Sequence, residues 1–408
     1  MKILHITASY KPAYIYGGPI QSVGKLCEEL CENKAQGVKR NDQEAKIQNA
    51  IEVFTTTANG KEELNVETGK QQNVDGVPVT YFKRWTKDHS HFSPGLLIHL
   101  RSAIICCAQD NKLVIHIHAW WNLVSVLSCL VAKWYKVPVV LSPRGMLTSY
   151  TQGNRNSLSK KILHIIIGKS LLKYVHVHAT SEQEKNDVLP IVQPKSVTVI
   201  PNLVDIPKAQ STNLKAKRTD HVSTFKLLFL SRIEEKKGLD LLFEALSKLH
   251  FEYYLTIAGS GDENYIKSLK LKAESLKLDD RINWLGQVSN EDKFSVMAAH
   301  DLLVLPSHNE NFANVVIESL SVGTPVLVSK NVGLADYVKS NALGWVCDLK
   351  PLEIAETITE AYKAVVKREK INSIAPALIR NDFNDASLAK RYSELYEAVL
   401  RQAQHDIA

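Results

Sequence analysis

The chain has 408 residues, 45% hydrophobic and 23% charged, the balance of a soluble globular protein with two to three domains. Its net charge of +7 fits affinity for anionic ligands or membrane surfaces without specifying either, and no nucleic-acid partner is expected. No apolar run approaches the roughly 18 to 20 residues needed to span a bilayer, and LVSVLSCLVA, residues 123–132, suits a buried helix better.

MKILHIT reads as a first strand, not a signal peptide, because its short apolar run is broken by His5. The six cysteines form no CxxC, so a reducing cytoplasm is the natural setting. Short Val- and Ile-rich runs predict strands at 2–7, 51–56, 113–118, 137–142, 175–178 and 196–200. A second series falls at 226–231, 253–258, 282–285, 302–305 and 325–328. Their continuous apolar character predicts burial on both faces, and the helix-length segments between them predict parallel sheets with right-handed crossovers.

After the first strand, Gly17 and Gly18 lead into a helix, where a loop without side chains can bring backbone N–H groups to a phosphate; an ordinary turn explains the pair equally. Residues 33–50 are polar and charged, as in a surface excursion. LVIHIHAWW and VHVHATS each carry two histidines two apart at a strand end. Hydrogen-bonded neutral histidines are commoner there than metal ligands, and neither HExxH nor DxD occurs, so no metal is expected. His118 is the better placed of its pair to face a cleft.

Residues 160–175, KKILHIIIGKSLLKYV, are basic on one side and apolar on the other, as in a membrane-surface helix or a core helix with solvated lysines. The polar stretch 202–224 is the best domain break. It predicts an N-terminal domain at 1–203 and a C-terminal domain at 204–385. The tail 386–408 is an amphipathic helix with Leu388, Tyr392, Leu395 and Leu400 along it, expected to pack back towards the first domain.

In the second half, KLLFLSRIEEKKG places Arg232 directly after a strand and Lys237 before Gly238 at the start of a helix. Two cations so placed can neutralise a diphosphate, or belong to a solvated charge cluster with Glu234, Glu235 and Lys236. Downstream, DLLVLPSHNENFANVVIESLSVG runs strand, loop, helix. Glu310 lies in the loop and Glu318 in the helix. A carboxylate accepts two hydrogen bonds and so grips a vicinal diol, which suits one acid for each sugar of a nucleotide-sugar. Acids favoured by the helix dipole or exposed on its face explain the spacing too.

Together these motifs resemble glycosyltransferase family 4, retaining enzymes of the GT-B fold. The resemblance rests on E-x7-E at Glu310 and Glu318, S-R-x4-K-G at Ser231 to Gly238, and the early Gly17-Gly18. HAWW, LSPRGML, HATSEQE and VIPNLVD fall in the expected order. It implies two Rossmann-like α/β domains facing across a cleft, with a nucleotide-sugar as substrate and no cofactor. It also implies a saccharide or lipid-linked saccharide acceptor, in cell-surface polysaccharide or glycolipid synthesis.

By the same resemblance Arg232 and Lys237 would bind the donor diphosphate and Glu318 the ribose. Glu310 and the backbone of Asn311, Phe312 and Ala313 would hold the transferred sugar. His118 would approach that sugar, Gly17 and Gly18 would admit the phosphates, and Gly286 to Val288 would lie near the base. Many members carry Gly where Asn311 stands, and some carry His where Arg144 stands. The competing readings are a GT-B nucleotide-sugar epimerase and a non-catalytic sugar-nucleotide-binding protein. A cytoplasmic protein in peripheral contact with an anionic membrane is the expected location.

Overall fold

A computed structural model describes residues 1–37, 50–107, 112–148, 168–207 and 224–406. Most of the 33–50 stretch, and the part of the basic amphipathic segment before residue 168, lie outside them. Two compact units result: Met1–Leu203 with Asp385–Ala408, and Val204–Asn384.

The first unit is built on β1 (Lys2–Ile6), α1 (Gly18–Gly37), β2 (Ala50–Thr56), a minor hairpin of β3 (Ala58–Asn59) and β4 (Glu62–Glu63), β5 (Gln71–Val74) and β6 (Val77–Phe82). It continues with α2 (Pro94–Cys107), β7 (Leu113–His118), α3 (Leu123–Trp134), β8 (Val139–Ser142), α4 (Lys169–Leu172), β9 (His176–Ala179), α5 (Glu182–Val188) and β10 (Ser196–Val199). The strands form one sheet in the order β10-β9-β8-β7-β1-β2-β6-β5. All its pairings are parallel except β5 with β6, which pair antiparallel across Asp75-Gly76. The expectation of purely parallel pairing is corrected at that edge. A two-residue Asp-Gly turn closes a hairpin there without a crossover.

The second unit runs β11 (Phe225–Leu230), α6 (Leu239–Leu246), β12 (Tyr253–Ala258), α7 (Glu263–Ser275), β13 (Ile282–Gly286), α8 (Lys293–Ala298), β14 (Leu302–Leu305) and α9 (Asn314–Ser321). It ends with β15 (Val326–Ser329), α10 (Ala335–Ser340), β16 (Gly344–Cys347), α11 (Pro351–Lys363) and α12 (Val365–Asp382). Its sheet, β13-β12-β11-β14-β15-β16, is parallel throughout. The order reverses beside β11, so β11 and β14 end at the switch point where open α/β sheets hold ligands.

The apolar runs explain this layering. LVIHIH of β7, VVLS of β8 and LLVL of β14 are buried at every position, as strands covered by helices on both faces must be. The last helix, α13 (Asp385–His405), packs on α1, β7 and β8. Its buried stripe is Leu388, Tyr392, Leu395, Tyr396 and Val399, with Leu400 only partly covered. The stripe drifts because 3.6 residues per turn carry Val399, not Leu400, back onto the face that begins at Leu388. Two of its members are tyrosines, and their hydroxyls have a purpose in the core.

Candidate active site

On the second unit, the loops after β11 and β14 are drawn together by Gly238. It adopts φ +69°, and a Cβ there would stand 2.1 Å from the carbonyl oxygen of Pro306. Only glycine permits that approach. The backbone N–H of His308 then donates to the Lys236 carbonyl at 2.8 Å.

The approach carries Lys237 to Glu310. Lys237 Nζ donates to both carboxylate oxygens, at 2.9 and 2.7 Å, with the lysine side chain 6% and the glutamate 17% exposed. Burial alone would push the Glu310 carboxyl up, but Lys237, Lys236 and Arg232 together hold it below the usual range. Glu310 is therefore ionised at neutral pH. Arg232 differs in setting: it pairs with Glu234 at 2.7 Å near the surface, with both side chains more than a third exposed. Such a solvent-exposed pair contributes little stability. The reading of Lys237 as a cation open to a diphosphate is thus modified, because two of its three N–H bonds already hold Glu310.

Phe312 is buried and packs edge-on to Phe383 at 6.1 Å, so its backbone rather than its ring is what the loop can present. Ala313 sits in the left-handed region at φ +72° immediately before α9. A non-glycine residue costs about 1 kcal/mol there, local strain of a kind that clusters at functional sites. Gly286, at the end of β13, also has positive φ and lies exposed; its carbonyl accepts from Gly259 N at 2.7 Å.

Glu318 lies in α9 and is 5% exposed. Lys293 Nζ, from the start of α8, donates to its Oε1 at 2.9 Å, and both side chains are 7% exposed. Burial raises the Glu318 carboxyl above its ordinary value, Lys293 opposes that rise, and Asp205 adds to it. The two acids of the E-x7-E spacing are therefore shifted in opposite directions. Lys293 was not singled out from sequence, because its partner Glu318 lies 25 residues further on.

The first unit holds a polar core at the ends of its central strands. His118, 2% exposed, pairs through Nε2 with His5 Nδ1 at 3.0 Å. Its Nδ1 stands 3.4 Å from Arg144 Nη2. A guanidinium only donates, so the His118 proton sits on Nε2 and points to His5. Arg144 also donates through Nη1 to Ser22 Oγ and Asn202 Oδ1, each at 2.9 Å.

A second chain runs beside it. His178 Nε2 lies 2.8 Å from the Ile200 carbonyl, so it carries the proton and Nδ1 accepts from Ser142 Oγ at 2.6 Å. Ser142 then accepts from His116 Nε2 at 2.7 Å, and His116 Nδ1 accepts from Tyr396 at 2.8 Å. Tyr392 joins at His178, 3.0 Å away. The donor–acceptor order is fixed from Tyr396 to Ile200, and it binds α13 to the sheet.

Nitrogens of His5, His116 and His118 lie within 4.8 Å of one another, the spacing of a metal site. A dication there would sit beside Arg144 and would have to displace bonds that His116 and His118 already make. Both nitrogens of His116 and of His118 are engaged, whereas the buried His5 Nε2 has no partner among the described residues. Gly17 has φ +69°, and its N–H donates to the Tyr14 carbonyl at 2.9 Å; Gly18 begins α1, four residues before Ser22. Gly17, Gly18, Arg144 and His118 thus belong to one neighbourhood of the first unit. Arg232, Lys237, Glu310 to Ala313 and Glu318 belong to one neighbourhood of the second.

Comparison with known proteins bears on the family and the fold. The family described as "Glycosyl transferases group 1" matches residues 211–377, and "Glycosyltransferase Family 4" matches residues 47–208. An uncharacterized glycosyltransferase of Methanocaldococcus jannaschii is 24% identical over 98% of this chain and 99% of its own. Sucrose-phosphate synthase from Thermosynechococcus elongatus superimposes with a TM-score of 0.74 at 18% identity, over 98% of this chain and 99% of that one. HepE from Anabaena, solved in complex with UDP-glucose, superimposes with a TM-score of 0.67 at 19% identity, over 98% and 100%. The fold is GT-B, two α/β domains with parallel sheets and a C-terminal helix. The chain belongs to the group 1, family 4 glycosyltransferases.

Proposed function

We propose that the protein moves a sugar from a nucleoside-diphosphate sugar to an acceptor hydroxyl with retention of configuration and without a metal ion. The acceptor is a saccharide or lipid-linked saccharide of cell-surface polysaccharide or glycolipid synthesis. One observation carries the reading: Arg232, the Lys237–Glu310 pair and Glu318 occupy the strand-end loops and helix at the switch point of the second sheet. HepE, which shares the fold, binds UDP and UDP-glucose, which supports a nucleotide-sugar donor.

The leaving diphosphate gains negative charge as the glycosidic bond breaks. Arg232, the third Lys237 N–H and the α9 N-terminus are the groups that stabilise it. Glu310, kept ionised, and the 311–313 backbone hold the sugar, while Glu318 accepts from ribose hydroxyls. The transition state is oxocarbenium-like, as in glycosidases, and the acceptor attacks from the face the diphosphate leaves. His118 is 2% exposed with both ring nitrogens engaged by His5 and Arg144, which disfavours the direct sugar contact expected of it. An epimerase would share the phosphate site but need no acceptor, so product analysis without acceptor separates the two.

Transfer in excess EDTA tests the metal-free part. Activity is expected to persist unchanged, since the chain has no DxD and the cations are its own. Full loss on chelation, restored by magnesium or manganese, would overturn that part.

A specific observation also favours peripheral docking on an anionic membrane from the cytoplasmic side. Residues 89–181 hold ten Lys or Arg and one acid, Asp110, whereas the rest of the chain holds 40 basic and 42 acidic residues. Helices α2, α3 and α4, from this block, contain no acid and pack side by side, joined by Arg101 Nε to Tyr135 OH at 2.8 Å and Lys133 Nζ to Ser170 Oγ at 2.6 Å. They leave Ile98, Ile105, Leu130 and Trp134 exposed, Trp134 by 81%. No helix among the described residues is long and apolar enough to cross a membrane. Each Lys or Arg near such a surface contributes about 1 kcal/mol, screened over a Debye length of about 8 Å. Anionic vesicles are expected to sediment the protein at low salt and release it at high salt. Equal behaviour with neutral vesicles would end this reading and leave the transferase assignment intact.

A further inference from the structure

Lys293 is the least expected charge in the second unit. It is the first residue of α8, where the helix dipole disfavours a cation, and it is 5% exposed although its neighbour Asp292 is on the surface. Its ammonium lies 2.9 Å from Glu318 Oε1 and 4.9 Å from the Phe294 ring centroid. An ion pair of this kind is weak evidence for stability, because apolar residues of similar volume often hold a core as well. Its position at a proposed binding carboxylate gives it a different use.

We propose that Lys293 is a positioning residue for the nucleotide ribose. Its ammonium fixes the orientation and the charge of the Glu318 carboxylate that accepts from the ribose hydroxyls. The inference rests on the donor role proposed for Glu318. Two charged groups act on that carboxylate: Lys293 from α8, and Asp205 from the segment after Leu203. Among the described residues, α12, which also packs on α9, contributes no charge to it. Burial and Asp205 both favour the protonated acid, and Lys293 is the counterweight. Without it the carboxyl moves further up, and a protonated acid offers one donor where two acceptors are needed.

The test is calorimetric titration of uridine diphosphate and of inorganic pyrophosphate, which has no ribose, from pH 6 to 9. Wild type and Lys293→Arg are expected to share one pH profile. Lys293→Met should bind uridine diphosphate about tenfold or more weakly at neutral pH, and regain affinity as pH rises. Glu318→Gln should be weak at every pH. Pyrophosphate should bind all four proteins alike. Should the Met variant fail to fold, Lys293→Gln, which keeps a donor without the charge, carries the same expectation. If Lys293→Met keeps the wild-type affinity and profile, or loses pyrophosphate equally, the positioning role is overturned. If Glu318→Gln itself binds uridine diphosphate like wild type, the ribose assignment falls instead.

Discussion

Replacing Lys237 by Met should lower kcat/KM for sugar transfer by about a hundred- to a thousandfold, the scale set by removing one preorganised donor from a developing anion. Two losses combine. The variant lacks a cation beside the leaving diphosphate, and Glu310 loses the partner that holds it ionised. Its carboxyl then moves up, opposed only by Lys236 and Arg232, so the charge that holds the sugar is weakened as well. Glu310→Gln separates the contributions, because it keeps the cation and removes only the charge of the acid. Arg232→Ala should act in the same direction, since its exposed pair with Glu234 costs little to break. The effects should not add, since these groups act on one charge. Steady-state rates beside thermal unfolding decide the matter: a folded Lys237→Met enzyme with wild-type kcat/KM would remove Lys237 from the machinery.

Acid should unfold the first unit well before carboxylates alone would require. Burial holds His5 down to about 3, with Arg144 adding to the effect, and holds His178 down to about 3 as well. His116 and His118 lie well below the ordinary value for the same leading cause. An unfolded histidine titrates near 6.5. Below that pH the unfolded chain binds protons that the folded chain refuses. The stabilisation is therefore complete above about 6.5 and is lost as pH falls towards the folded values.

Each fully buried histidine contributes about 1 kcal/mol of loss between pH 7.5 and 5.5, so the four together remove several kcal/mol of a typical margin of about 5–15. The damage should appear first at α13, because Tyr396 and Tyr392 bond to His116 and His178. Denaturant unfolding at pH 7.5 and 5.5 checks this, with hydrogen exchange read at the last helix. An unchanged midpoint would contradict the buried relay.

Much of the fold was legible because buried parallel strands are simple text. DLLVLPS and KLLFLSR are apolar runs ended by a proline or a charge, and both become strands that stop at the site. Strand β6, VPVTYF, went unread, though Asp75-Gly76 before it is a hairpin signal; the expectation of crossovers masked it. The donor-side residues were legible as a spacing, but their pairing was not. Nothing in the chain says that Gly238 will touch Pro306 and bring Lys237 onto Glu310, 73 residues away. Lys293 is hidden for the same reason: its partner is 25 residues on, in another helix. The histidine cluster needs the register that sets His5 opposite His116 across neighbouring strands, and register between distant parallel strands has no local signature. Sequence periodicity reports which face is buried, and only the assembled sheet reports what meets there.

The central claim is that the second unit grips a nucleotide-sugar through Arg232, Lys237, Glu310 and Glu318. Calorimetric titration of a panel of nucleotide-sugars into wild type and Glu318→Ala tests it most directly. The account predicts that at least one binds the wild type, and that Glu318→Ala weakens it by about 1.5–3 kcal/mol without loss of the fold. A folded wild-type protein that binds no nucleotide-sugar, or a Glu318→Ala variant with undiminished affinity, would contradict it.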